Sequence, residues 1–205
     1  LRALRYDSQL DQDRAWWFGE GASPFLLYPV YEAIGGASDV ATAWGFRYSN
    51  LSWKNWYMVY KQYAGTKYNI PLVDYPGKSR ETGDVQYYFP LPYMKGFLVL
   101  HMLNLSMVEV THGAKDVRDV IKYVYENYAV KGAGYTVEDV LSAVNTVSGN
   151  DYAAFFEAYV YGNEALPIFE EGGDYLIDWA TLGDKTYRTL ANSEKVRPTP
   201  QYWGG

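Results

Sequence analysis

Tyr93-Met94-Lys95-Gly96-Phe97-Leu98-Val99-Leu100-His101-Met102-Leu103-Asn104-Leu105 is apolar around most of a helical circumference, and its reading decides the fold. Met94, Phe97, Leu98, Leu100, His101, Met102 and Leu105 leave no broad polar face, which predicts a central, buried helix rather than a surface one. Pro92 stands at its start, where a missing N–H is tolerated, and the helix is expected from Tyr93 to about Val108. The sequence on both sides reads as further helices.

Upstream, Trp53, Trp56, Tyr57, Tyr60, Tyr63 and Ala64 follow the three-four rhythm of one helix face, with Ser52 placed to cap it. This aromatic stripe reads as core. The connection over 65–90 is rich in Gly, Pro and charge, and loops of such length are often functional. From Asp13 to about Ile34 the pattern is again helical but interrupted at Pro24 and Pro29. Ser23 as a cap and Pro24 as a first helical residue predict a kinked helix, or two short ones meeting just past Glu20, ended by Gly35-Gly36. Residues 1–13 lack a period and read as a loop.

Downstream, Val117, Val120, Ile121, Val124, Tyr125 and Tyr128 mark a helix at about 114–129. Another runs from a Thr136 cap to Gly149, and a last one from about Asp151 through Tyr159 and Val160. After Pro167 the pattern changes. The runs from Asp174 to Trp179 and from Tyr187 to Leu190 flank Gly183-Asp184 and predict two strands joined by a turn. The expected fold is mainly α: five or six packed helices over 1–168, with a short β-hairpin or extended C-terminal appendage over 169–205.

The 205 residues fit one domain, or one domain with an appendage. A net charge of −6 with no basic block argues against a nucleic-acid partner. No apolar run reaches membrane-spanning length. With no cysteine, disulfides and thiolate chemistry are excluded, while the compartment is left open. The 22 Tyr and 7 Trp fit a core and rim built from large rings better than a sugar platform. Sequons stand at Asn50 and Asn104, the second inside the expected central helix.

Phosphate-binding glycine loops and the Gly-x-Ser-x-Gly elbow are missing. The two histidines are His101, on the apolar helix and read as a core side chain, and His112, in a connector before Gly113. H-E-x-x-H does not occur, so a two-His zinc site on one helix is not encoded in these residues. In Trp16-Trp17-Phe18-Gly19-Glu20-Gly21-Ala22-Ser23 a carboxylate sits between two glycines, directly after three aromatic rings. Glu is rarely buried without a partner. Glu20 therefore belongs at the rim of a cleft or with a cation, unless it is a solvent-facing Glu at the start of an amphipathic helix. Tyr93, at a helix N-terminus, is able to donate its hydroxyl to a developing oxyanion or simply packs. Glu170-Glu171 reads as solvated charge.

These segments resemble the gluzincin zinc metallopeptidases, a group that includes leukotriene-A4-hydrolase-like and glycyl-aminopeptidase-like aminopeptidases. Trp17-Phe18-Gly19-Glu20-Gly21-Ala22 is similar to the family's W-L-N-E-G-F-A, and Pro92-Tyr93-Met94-Lys95-Gly96-Phe97 to its P-Y-E-K-G-F. Thr136 to Val147 resembles the family's late helix. Ser148-Gly149-Asn150-Asp151 with Phe155-Phe156 and Tyr159-Val160-Tyr161-Gly162 looks like its closing pattern. The resemblance spans residues 15–168. It implies a thermolysin-like C-terminal helical subdomain, zinc as cofactor and a peptide as substrate. It further implies Glu20 as the third zinc ligand and Tyr93 as the residue stabilising the tetrahedral intermediate. Lys95 matches a family position to which no distinct role attaches.

One departure is large. The family pattern is H-E-x-x-H, eighteen residues, then the Glu ligand, and counting back nineteen positions from Glu20 reaches Leu1. The start at Leu rather than Met favours an excised segment over a degenerate relative. The expectation is thus the C-terminal segment of a zinc-dependent peptidase, an aminopeptidase by resemblance, whose H-E-x-x-H lies on an upstream part of the same polypeptide. Such a segment is inactive alone and binds no zinc tightly. The aromatic wall from Trp44 to Tyr63 and the 65–90 loop are candidates for lining a substrate groove. The alternative is a non-catalytic module that uses the old cleft to hold a peptide or a protein; carbohydrate binding ranks below both.

Overall fold

An apolar helix needs partners on all sides, and the arrangement of the chain provides them. The computed structural model describes residues 5–6, 14–33, 53–75 and 91–186. In chain order these form β1 (Arg5–Tyr6), α1 (Trp16–Ala33), α2 (Trp53–Ala64), a 3-10 turn at Leu72–Asp74 and α3 (Leu91–Val110). There follow α4 (Val117–Val124), β2 (Gly134–Tyr135), α5 (Val137–Ser148), α6 (Ala153–Phe156), β3 (Ile168–Glu171), β4 (Asp174–Ile177) and α7 (Trp179–Thr186). The fold is mainly α with a short antiparallel hairpin. Helix α3 lies at its centre, packed against α1, α2, α4 and α7. Phe97, Leu98, Val99, Leu100, Met102, Leu103 and Met107 are all buried. No helix among the described residues is long and apolar enough to cross a membrane.

Helix α1 differs from its expected form. It runs unbroken through Pro24 and Pro29, and Ser23 sits inside it rather than capping a second helix. Each proline removes one helical hydrogen bond, so local propensity alone favours a break. Packing outweighs that loss. Trp17, Phe18, Ala22 and Phe25 are buried along the helix, and Phe25 meets the Phe97 ring at 6.3 Å. The Gly35-Gly36 stop lies outside the described residues, as do Trp44, Phe46 and Tyr48 of the aromatic wall.

The contact between α1 and α3 is backbone on backbone. A Cβ added to Gly21 would lie 2.6 Å from the Gly96 carbonyl carbon and 2.9 Å from its oxygen. A Cβ on Gly96 would lie 2.7 Å from the Trp17 carbonyl oxygen. Both glycines sit inside helices, where each is about 0.5–1 kcal/mol less favourable than Ala. That loss is accepted because no side chain fits between the two backbones.

The other helices form largely as read. Asp116 accepts from the Arg118 backbone N–H while Asp119 accepts from Asp116 N–H, capping α4. Thr136 and Asp139 make the same reciprocal box at α5, which ends at Gly149 with φ of 71°. The Asn104 sequon is not available to a glycan: Asn104 is buried, and its Oδ1 accepts from Val117 N–H at 3.2 Å, joining α3 to α4. Residues 1–13, read as a loop, contain β1, which pairs in parallel with β2.

The hairpin is real but sits one strand upstream of its expected place. Strand β4 pairs with β3, Phe169 opposite Leu176, and not with Tyr187–Leu190, which lies outside the described residues. Gly172 and Gly173, with φ of 62° and 84°, supply the two left-handed residues that a tight hairpin turn requires. The expected turn at Gly183-Asp184 is helical instead, because Asp178 accepts from Ala180 and Thr181 N–H groups and caps α7. The hairpin docks on α2. Tyr57 donates its hydroxyl to the Ile168 carbonyl at 2.9 Å and meets the Tyr175 ring edge-on at 5.1 Å. The Lys54–Asp174 and Lys61–Glu170 pairs beside it are solvent-exposed and add little.

The crossing makes a direct prediction. Gly21→Ala and Gly96→Ala should each destabilise the chain by about 1–3 kcal/mol through overpacking. Gly65→Ala, where an added Cβ meets nothing within 4 Å, should stay within about 0.5 kcal/mol of wild type. Urea unfolding of the three variants checks this; equal effects at positions 21 and 65 would contradict a backbone contact.

Candidate functional site

The glycine crossing decides where the two candidate side chains go. Glu20 precedes Gly21 on α1, and Tyr93 lies one turn before Gly96 on α3, so the contact draws both to one place. Trp16 touches both. One turn before Glu20, it donates its indole Nε1–H to Glu20 Oε1 at 2.6 Å. Its ring also meets Tyr93 edge-on, centroids 6.1 Å apart at 81°. All three side chains are half-buried. A hydrogen bond to an ionised carboxylate is among the stronger neutral-to-charged contacts, on the order of 1.5–3 kcal/mol net.

The neighbouring tryptophan behaves differently. Trp17 is 1% exposed, packs edge-on against Phe18 and Phe156, and its Nε1 makes no hydrogen bond. Two consecutive indoles thus divide: Trp17 belongs to the core and Trp16 to Glu20.

Lys95, two residues after Tyr93, points about 200° round the helix from it and leads to a second polar cluster. Its side chain is fully buried. Nζ donates to Asn163 Oδ1 at 2.6 Å, the Ile70 carbonyl at 2.8 Å and Asn69 Oδ1 at 3.3 Å. Asn69 Oδ1 also accepts from the Tyr60 hydroxyl at 3.0 Å, and Asn163 Nδ2 donates to the Asn69 carbonyl at 2.6 Å. Burial pushes Lys95 down to about 7, while three oxygens match the three donors of an ammonium. The family-like position thus has a structural task. It ties α3 to the loop after α2 and to the turn after Gly162.

His101 is a core side chain, as read. It lies flat between Trp53, at 5.4 Å and 19°, and Phe97, at 6.3 Å and 6°. Burial pushes its pKa down to about 3, so it is neutral. Eight residues beyond Tyr93, it is about 12 Å along the helix from the Glu20 site. His112 ends α3 in a left-handed conformation, φ 52°, and is exposed. The described part of the aromatic wall faces inward: Tyr60 is buried and Trp53, Trp56, Tyr57 and Tyr63 pack on the core. Residues 76–90 of the long loop lie outside the described residues.

As a metal donor set, Glu20 is one member only. Oε1 is held by Trp16, and Oε2 accepts no hydrogen bond among the described residues. A fixed carboxylate with one such oxygen fits a single zinc-ligand position. No group of three His, Cys, Asp or Glu side chains able to hold a metal occurs among the described residues. Sequence reading singled out Glu20 and Tyr93 but not the contacts of Trp16, Asn69 and Asn163. The four-residue spacing from Trp16 to Glu20 was a signal; nothing local marks the two asparagines, which lie 26 residues before Lys95 and 68 after it.

No protein-family model, curated protein or solved structure matches the chain.

The buried imidazole sets an acid response. The unfolded chain takes up a proton on His101 near its ordinary pKa of 6.5, and the folded chain refuses it down to about 3. Stability therefore falls as the pH drops below 6.5. The slope from this group should steepen from about 0.7 kcal/mol per pH unit at pH 6.5 to about 1.4 below pH 5.5, a loss of about 1.6 kcal/mol of unfolding free energy between pH 6.5 and 5. His101→Phe, which keeps a ring between Trp53 and Phe97, should flatten the slope in urea titrations; an unchanged slope would assign the acid response to other groups.

Proposed function

We propose that the chain is the C-terminal segment of the catalytic part of a zinc-dependent peptidase, an aminopeptidase by resemblance. In this reading Glu20 supplies the carboxylate ligand and Tyr93 donates its hydroxyl to the oxyanion of the tetrahedral intermediate. The remaining ligands come from an upstream part of the same polypeptide. The observation that carries the reading is the convergence of Glu20 and Tyr93 on Trp16 across the Gly21–Gly96 crossing. Two residues 73 positions apart, singled out by separate motifs, meet at one side chain. Zinc at such a centre supplies Lewis-acid polarisation of the scissile carbonyl and a more acidic water. The chain's own contribution is to hold a carboxylate at one oxygen and to present a phenol beside it. One other reading is a non-catalytic peptide- or protein-binding module built on the same helices, since no group of three metal-donor side chains occurs among the described residues.

Calorimetric titration of the 205-residue chain with zinc should give no sub-micromolar binding, because one carboxylate does not replace a His₂Glu set. Sub-micromolar affinity would overturn the reading. The coding sequence upstream of Leu1 should contain H-E-x-x-H; an in-frame start near Leu1 without it would leave the binding module. In the polypeptide that carries the motif, Glu20→Gln should release the zinc. Tyr93→Phe should retain it and lower kcat for peptide hydrolysis by about 10²–10³-fold, as for other oxyanion donors.

A further inference from the structure

Lys95 is enclosed with three oxygens, at 2.6 Å (Asn163 Oδ1), 2.8 Å (Ile70 carbonyl) and 3.3 Å (Asn69 Oδ1), and all three belong to uncharged amides. The titratable groups on the elements around it are engaged elsewhere or turned to solvent. On α2 and the loop after it, Tyr60 bonds Asn69 Oδ1, Lys61 pairs with Glu170 and Tyr75 accepts from Ile70 N–H. Lys67 lies over the Tyr68 ring, and Asp74 is exposed. On α1, Arg14 is exposed and Glu20 bonds Trp16. In the π-helical turn Glu157–Tyr161, Glu157 is exposed, Tyr159 is buried and Tyr161 donates to Glu138. Beyond it, Glu164 pairs with Lys185 of α7. Dipoles alone therefore balance the ammonium, and burial draws Lys95 down to about 7.

The two protonation states bond differently. An ammonium has three N–H groups for three oxygens, whereas a neutral amine has two and a lone pair. The amine keeps the two short bonds, to Asn163 and Ile70, and its lone pair then faces Asn69 Oδ1, acceptor against acceptor. Asn69 is the arm able to leave. Its Oδ1 retains the Tyr60 hydroxyl at 3.0 Å and its Nδ2 the Ala64 carbonyl at 2.9 Å, so neither is stranded.

We propose that the Lys95 cluster is a proton-operated latch between α3 and the end of α2. Protonated, Lys95 grips Asn69, Ile70 and Asn163 together; when the proton leaves, it keeps the last two and releases the Asn69 side chain. The latch lies two residues from Tyr93 but does not depend on the peptidase reading.

NMR of the 205-residue chain tests it. The Lys95 side-chain signals should titrate with a midpoint between about pH 6 and 8. With the same midpoint, hydrogen-exchange protection of the Asn69 side-chain amide should fall by about 2–10-fold, the worth of one hydrogen bond, while that of Asn163 holds. Overall stability should move the other way. The unfolded chain keeps this proton up to the ordinary 10.5, so above about pH 7 the unfolding free energy should rise with pH in wild type relative to Lys95→Met. Asn69→Asp, which sets a carboxylate beside the ammonium, should raise the midpoint by about 1 pH unit or more, and it serves if Lys95→Met does not fold. A Lys95 midpoint above pH 9 would overturn the proposal. So would a titration that leaves Asn69 protection unchanged, or a midpoint that Asn69→Asp does not move.

Discussion

The structure depends on one close approach, that of the Gly21 and Gly96 backbones. A single added carbon at either residue would fall within 3 Å of the other helix's main chain. This contact has no side-chain adjustability, so it sets the distance between α1 and α3 and the register in which they cross. Register is what matters for chemistry. A slip of one residue on α1 would turn Glu20 about 100° away from Tyr93. The same crossing lets Phe25 reach Phe97, and the burial it brings holds α1 helical through two prolines.

Helix α3 separates two polar clusters of different kinds. On one side, Trp16, Glu20 and Tyr93 are half-buried, the Trp16 indole donating to the Glu20 carboxylate and its ring lying against Tyr93. On the other, Lys95 is fully enclosed and meets three oxygens from two distant loops. A buried cation is costly unless its donors are matched. Losing one of the three acceptors would leave the ammonium short of a partner in a dry interior, so both loops are held to the helix that carries Tyr93. Further along α3, His101 is sealed between rings and neutral. It contributes surface and shape and is not placed to serve the Glu20 site.

The hairpin shows how a local signal misleads. Asp174–Ile177 is a strand, as its pattern indicates, but its partner was sought downstream because Gly183-Asp184 resembles a turn. Two other features compete: consecutive glycines at 172 and 173 with positive φ, and Asp178 as a helix cap. Tyr57 then settles the placement, since its hydroxyl and ring bind β3 and β4 together to α2. A pattern scan of single segments does not weigh a tyrosine more than a hundred residues away.

By itself the sequence determined the helical class, the central position of α3, the caps at Thr136 and Gly149, and the core roles of His101 and the 53–63 stripe. Each is a matter of periodicity or of a side chain bonding within its own turn, and such information is local. It also marked Glu20 and Tyr93, because a carboxylate between glycines after three rings and a tyrosine opening an apolar helix are unusual combinations. What only the tertiary structure decided is that these two meet, that Trp16 joins them, that Lys95 is buried among Asn69, Ile70 and Asn163, and that α1 does not break at Pro24. Those facts depend on two helices approaching until their backbones touch. That distance is fixed by the absence of side chains at Gly21 and Gly96, and a missing atom leaves no periodic trace in the chain.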